Sequence, residues 1–97
     1  MKKDFFDVLR KVHQNPVATQ RSLAKELNFS LGKINYCLRE LKKKGLIKIS
    51  NFQKSSDKVK YLYVLTPQGI SEKTKITLRF LKQKMKEYEE LKKEIKK

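Results

Sequence analysis

Residues 20–45 read QRSLAKELNFSLGKINYCLRELKKKG, and this stretch decides the fold. It holds two short apolar-periodic segments with a break at Asn28-Phe29. Leu23, Ala24 and Leu27 mark the first; Ile34, Cys37, Leu38 and Leu41 mark the second. Spacings of three and four residues place each set on one face of a helix. Thr19 is a good N-cap for the first helix, which should end near Leu27. Asn28 suits the left-handed turn that often terminates a helix. Ser30 then caps the second helix, which runs to about Lys44. Gly45 supplies its stop, and Lys42, Lys43 and Lys44 sit favourably against its negative end. Two such helices make a helix-turn-helix. The second leaves a polar face of Lys33, Asn35, Tyr36, Arg39 and Lys43, which suits a DNA major groove.

On the N-terminal side, Phe5, Leu9 and Val12 predict a helix over residues 3–14, its stripe widened by Phe6 and Val8. Asn15-Pro16 stops it, because the residue before proline is pushed out of the helical region. His13, near this end, reads as exposed or as favouring the helix dipole rather than as a catalytic or metal-binding group. On the C-terminal side, Leu46 to Asn51 reads as a short strand, with Ile47 and Ile49 on one face and Lys48 and Ser50 on the other. Phe52 to Lys58 is polar and turn-like, and Val59 to Leu65 is a second, β-branched and aromatic strand. A hairpin placed after a helix-turn-helix is a wing.

Thr66-Pro67 opens the last helix, with Thr as N-cap and Pro in the first turn. Nothing after Gly69 breaks it before about Ile95, a length on the order of 40 Å. Leu78, Leu81, Met85, Tyr88 and Ile95 fit alternating spacings of three and four, an imperfect coiled-coil seam into which Leu91 fits only with a shift. The fold class is therefore mainly α with a small β-hairpin. Residues 1–66 form a winged helix-turn-helix, and residues 67–97 a long C-terminal helix that serves as a dimerisation coil.

The 97 residues carry a formal charge of +15. Such an excess predicts a polyanionic partner, nucleic acid or an anionic membrane surface. It is spread along the chain: 12 Lys and Arg against 4 acids up to Lys48, and 13 against 6 after it. Cys37 is the only cysteine, which excludes an intrachain disulfide and a cysteine-cluster metal site; its place on the apolar stripe reads as a small buried hydrophobe. No apolar run of membrane-spanning length and no hydrophobic secretory core is present, so a cytoplasmic protein is expected. With one His, one Cys and scattered acids, no catalytic, metal or cofactor constellation forms, and an enzyme is not expected.

On the recognition helix, Lys33 and Arg39 can donate to guanine edges or phosphates, Asn35 can bond bidentately to adenine, and Tyr36 can reach a phosphate or a thymine methyl. Lys43 extends the same face. Ser30 and the free amides of the first turn can hold a phosphate, and Gly32 lets the helix start approach the backbone. Arg21, at the start of the preceding helix, is a phosphate-contact candidate. Lys54, Lys58 and Lys60 lie in or beside the wing, where a narrow minor groove attracts cations; Asp57 partly offsets them. Solvated lysines are the bland reading of each. The long helix can dimerise, fold back over the first helix, or lie on a membrane, the last opposed by Glu87, Glu89, Glu90 and Glu94. The alternative functions are an adaptor whose coil recruits a protein partner, and a non-specific nucleic-acid-binding protein.

The order of elements, with the strings SLGKINYCLRELKKKGLIKISNF (30–52), YLYVLTPQGI (61–70) and TLRFLKQKMKEYEELKKEI (77–95), resembles the MarR-type winged-helix regulators, and among them the small subgroup associated with exopolysaccharide gene clusters. The resemblance implies a transcriptional regulator acting as a homodimer on double-stranded DNA. It assigns DNA contact to Ser30, Lys33, Asn35, Tyr36 and Arg39, and to the wing around Lys54–Lys60. The chain is shorter than the larger MarR pattern and lacks the extra terminal helices that build its ligand pocket, which argues against a small-molecule effector.

Overall fold

The computed structural model describes residues 1–55 and 58–96, and side chains outside residues 50–62. The order is α1 (Lys3–Gln14), α2 (Gln20–Leu27), α3 (Leu31–Lys43), β1 (Ile47–Ser55), β2 (Lys58–Leu65) and α4 (Pro67–Ile95). Local side-chain chemistry sets most of these bounds. The Thr19 hydroxyl accepts from the Ser22 amide while Ser22 Oγ accepts from the Thr19 amide, a reciprocal capping box. Asn28 takes the left-handed conformation (φ 57°, ψ 41°) and ends α2. Ser30 Oγ accepts from the Lys33 amide at the start of α3. Gly45, at φ 75°, turns the chain out of α3 without the steric cost a Cβ would carry.

The core lies where α1, α2 and α3 meet. Val8, Leu9 and Val12 of α1 pack with Leu23 and Ala24 of α2 and with Ile34, Cys37, Leu38 and Leu41 of α3, and Leu46 and Ile47 close it below the wing. Fully burying one such Leu or Ile is worth about 1.5–3 kcal/mol, so these few residues fix the angle between the two helices of the helix-turn-helix. Burial pushes the Cys37 thiol above its ordinary range; the nearby Asp4 carboxylate adds to this and Lys33 works against it. A thiol held protonated in an apolar site reacts slowly. Native protein should therefore react with Ellman's reagent at least tenfold more slowly than protein unfolded in guanidinium at the same pH. A single fast phase in native buffer would contradict the buried placement.

β1 and β2 pair antiparallel, from Ile47↔Leu65 through Ile49↔Tyr63 to Phe52↔Lys60 and Ser55↔Lys58, with one irregularity between Phe52 and Ser55. The strands run further than the sequence reading allowed. Phe52 to Ser55 belong to β1 and Lys58 to β2, where a polar turn over 52–58 was expected. A two-stranded ribbon in water pairs through its backbone, so the ladder does not need apolar side chains. One extra β1 residue between the 52↔60 and 55↔58 pairs is the signature of a bulge.

The N-terminus of α4 is fastened to the turn between α3 and β1. The Thr66 amide donates to the Leu46 carbonyl (3.0 Å), Thr66 Oγ1 donates to the Gly45 carbonyl (2.6 Å), and the Gly69 amide donates to Thr66 Oγ1 (3.0 Å). Gly69 lies so close to Leu46 that a Cβ there would meet the Leu46 carbonyl oxygen at 1.9 Å. Ile76 is buried and Phe80 stacks at a tilt on Phe6 of α1 (centroids 5.3 Å apart). Leu81, Gln83 and Lys84 still border the groove against α1, and beyond them the helix leaves the globule. It gives the molecule extents of 66 × 26 × 21 Å and a radius of gyration of 17.0 Å, against about 12–13 Å for a compact chain of this length. Among the described residues no helix is long and apolar enough to cross a membrane.

Candidate nucleic-acid interface

The inward face of α3 is locked by Ile34, Cys37, Leu38 and Leu41. Gly32, Tyr36, Arg39 and Lys43 follow spacings of four, three and four, which set them on the opposite, outermost stripe. All four are exposed. Asn35, also exposed, lies one turn before Arg39 and widens the stripe on the flank away from α1. Because the inner face of α3 is fixed in the core, this stripe is presented as a rigid ridge. A lysine, an arginine, an amide and a phenol on such a ridge can donate to phosphates and read base edges.

The flank toward α1 is not free. The Lys33 ammonium lies 2.8 Å from Asp4 Oδ2 and 4.0 Å from the Phe29 ring centroid. The Tyr36 ring lies 5.9 Å from that of Phe5, tilted by 46°, and the Lys44 ammonium lies 5.2 Å from the same Phe5 ring. The first turn of α1 thus supports one side of the recognition helix. The sequence reading missed Asp4 and Phe5 in this role, although an acid so close to the start of a strongly basic chain was the available signal.

The remaining candidates are spread around this ridge. Ser30 is engaged as the cap of α3, and its hydroxyl proton remains to donate outward. Arg21 is exposed in the first turn of α2. Its neighbour Gln20 donates from Nε2 to Tyr63 Oη (3.1 Å) and so ties the start of α2 to the base of the wing. The side chains of Lys54, Lys58 and Lys60, and Asp57 as a whole, lie outside the described residues. Among the described residues no group of three His, Cys, Asp or Glu is placed to hold a metal ion. His13, at the C-terminal end of α1, has its Nδ1 2.9 Å from the Lys73 ammonium of α4.

A family model described as winged helix-turn-helix DNA-binding matches residues 6–48, from the core of α1 through α3 to the start of β1. No curated protein sequence is significantly similar to the chain. Solved structures are. A MarR family transcription regulator superposes with a TM-score of 0.75 at 23% identity, covering 86% of this chain and 54% of that one. A mutant of Staphylococcus aureus MepR gives 0.77 at 23%, covering 89% and 63%. FabT of Streptococcus pneumoniae, solved in complex with DNA, gives 0.70 at 22%, covering 90% and 59%. The chain spans less than two thirds of the length of each. At this identity the likeness is one of fold: the chain is a winged helix-turn-helix with a long C-terminal helix, in the architecture of the MarR-family regulators.

Proposed function

We propose that the protein is a MarR-like transcription regulator that binds double-stranded DNA sequence-specifically as a homodimer. The observation that carries the reading is the α3 ridge, with Gly32, Tyr36, Arg39 and Lys43 outermost on a helix whose other face is fixed in the core. Arg39 and Asn35 are the base readers, and Tyr36, Lys43, Ser30 and Arg21 contact the backbone. Lys54, Lys58 and Lys60 flank the minor groove from the wing. Residues 1–66 form the DNA-binding unit and residues 67–97 the dimerising one, the first turns of α4 serving both. The reading is that of a binding protein and needs neither catalysis, cofactor nor small-molecule effector. FabT was solved on DNA, which supports DNA as the ligand of this fold. The finer assignment, to the subgroup associated with exopolysaccharide clusters, rests on the sequence strings at 30–52, 61–70 and 77–95.

The test is selection of bound duplexes from genomic fragments, followed by titration of the winner and of a random duplex. A two-fold site is expected, with half-sites about one helical turn, roughly 34 Å, apart. About four phosphate contacts per subunit give a slope of log K against log salt near −7. Asn35→Ala/Arg39→Ala should weaken the selected site by about 10–100-fold and the random duplex far less, since each base contact is worth about 1–3 kcal/mol of discrimination. Equal loss on both duplexes would remove the base-reading role. No enrichment at about 100 mM salt, together with capture of a protein partner, would favour the adaptor. Selected promoters lying outside exopolysaccharide clusters would remove only the finer assignment.

A further inference from the structure

The Asp4–Lys33 pair sets an acid against a cation of the proposed DNA face. At 2.8 Å it is the shortest of the ion pairs among the described residues. It joins the first turn of α1 to the first turn of α3, and the Lys33 ammonium is held from a second side by the face of the Phe29 ring. Both side chains remain close to half-exposed, 43% and 47%. A pair so open to water is weak and exchangeable, so a phosphate can compete for the same ammonium. The carboxylate also carries the phosphate's own sign. A duplex approaching this flank of α3 must displace Asp4 from Lys33 and then lie beside a negative charge.

Taking the DNA-binding reading as its basis, we propose that Asp4 is a built-in brake on DNA affinity, its carboxylate occupying the Lys33 ammonium in place of a DNA phosphate. A chain with a net charge of +15 binds any duplex through counterion release, and a competing carboxylate at the recognition helix lowers that sequence-independent component. Asp7 provides the control. It lies one turn later on α1 but lines the groove that Phe6, Thr77 and Phe80 form between α1 and α4, and it makes no ion pair with Lys33, whose carboxylate partner is Asp4.

The experiment is fluorescence-anisotropy titration of a short random-sequence duplex at several salt concentrations, with circular dichroism confirming that each variant is folded. Asp4→Asn should bind roughly three- to fivefold tighter than wild type, the factor an exposed ion pair commands. Its salt slope should steepen by about 0.9 for each Lys33 released to a phosphate. Asp7→Asn removes the same charge and should leave the slope unchanged. Asp4→Asn/Lys33→Ala should show no gain over Lys33→Ala. Equal effects of the two Asn variants, or a gain that survives loss of Lys33, would overturn the brake and leave a general charge effect. Wild-type binding with no response to Asp4→Asn would overturn the brake alone, whereas no binding by any variant would overturn the DNA-binding reading with it.

Discussion

Gly69→Ala should destabilise the protein by about 2–3 kcal/mol, near the top of the range for overpacking, and lower Tm by roughly 10 °C or more. The reason is geometric. The added methyl would sit 1.9 Å from the Leu46 carbonyl oxygen and 2.9 Å from its carbon. Both belong to the backbone between α3 and β1, so no side-chain rotation can make room. The helix must instead move outward. That movement stretches the Thr66 amide bond to the Leu46 carbonyl and the Thr66 hydroxyl bond to the Gly45 carbonyl, which close at 3.0 and 2.6 Å in the wild type. Those bonds fix where α4 leaves the winged helix, so α4 loses its defined direction as well as its docking. Thermal melts followed by circular dichroism provide the measurement, with Ser71→Ala, at an exposed position of the same helix, expected within about 0.5 kcal/mol of wild type. A Gly69→Ala melt indistinguishable from that of Ser71→Ala would show that α4 is not seated on Leu46.

Gly69 also marks where the sequence stopped being informative. The helix bounds were legible because the residues that set them act on their own neighbours. Thr19, Asn28, Ser30, Gly45 and Thr66 each bond to, or shape, backbone within a few residues, and the structure places α1, α2 and α4 on the expected bounds and α3 within one residue of them. The apolar stripe of α3 was equally legible, since a period near 3.6 leaves one choice of inner face, and the outward ridge follows by subtraction. The close approach at Gly69 joins residues 23 apart, and the Asp4–Lys33 pair residues 29 apart, so no local pattern announces them. Lys33 shows the consequence. Six residues of helix turn it about 120° away from Arg39, onto the flank toward α1, where it has an acid for a neighbour. The extent of the wing was illegible for a different reason: Gln53 to Ser55 are polar, and polarity in a two-stranded ribbon does not distinguish strand from turn.

In the proposed homodimer, Leu81→Asp/Met85→Asp should raise the dissociation constant more than a hundredfold and leave a monomer where wild type is dimeric. Leu78, Leu81, Met85, Tyr88 and Ile95 are 51–84% exposed on the single chain. Leu91 is exposed as well, one turn before Ile95, and fits the stripe only with a shift. From Leu81 to Tyr88 to Ile95 the stripe repeats every seven residues, the period that winds two helices around each other. α1 does not cover it: Leu81 borders the groove between α1 and α4 yet stays 52% exposed, and Met85, Tyr88 and Ile95 are 60–84% exposed. Isolated apolar side chains on a surface need no partner, but a continuous line of them along a projecting helix does. Two aspartates per chain would place four carboxylates in the middle of such an interface. Burying an unpaired charge costs more than about 3 kcal/mol, and each 1.4 kcal/mol is about a factor of ten in the constant. Light scattering should then report the 11.5 kDa chain mass in place of twice that value. The variant should keep its winged-helix signal, since neither residue contributes to the buried core, and should lose most of its affinity for a two-fold site while retaining weak binding to a single half-site. A variant that remains dimeric would place the interface elsewhere on the molecule, and one that is monomeric yet binds the full site undiminished would show that the two halves of the site are not read together.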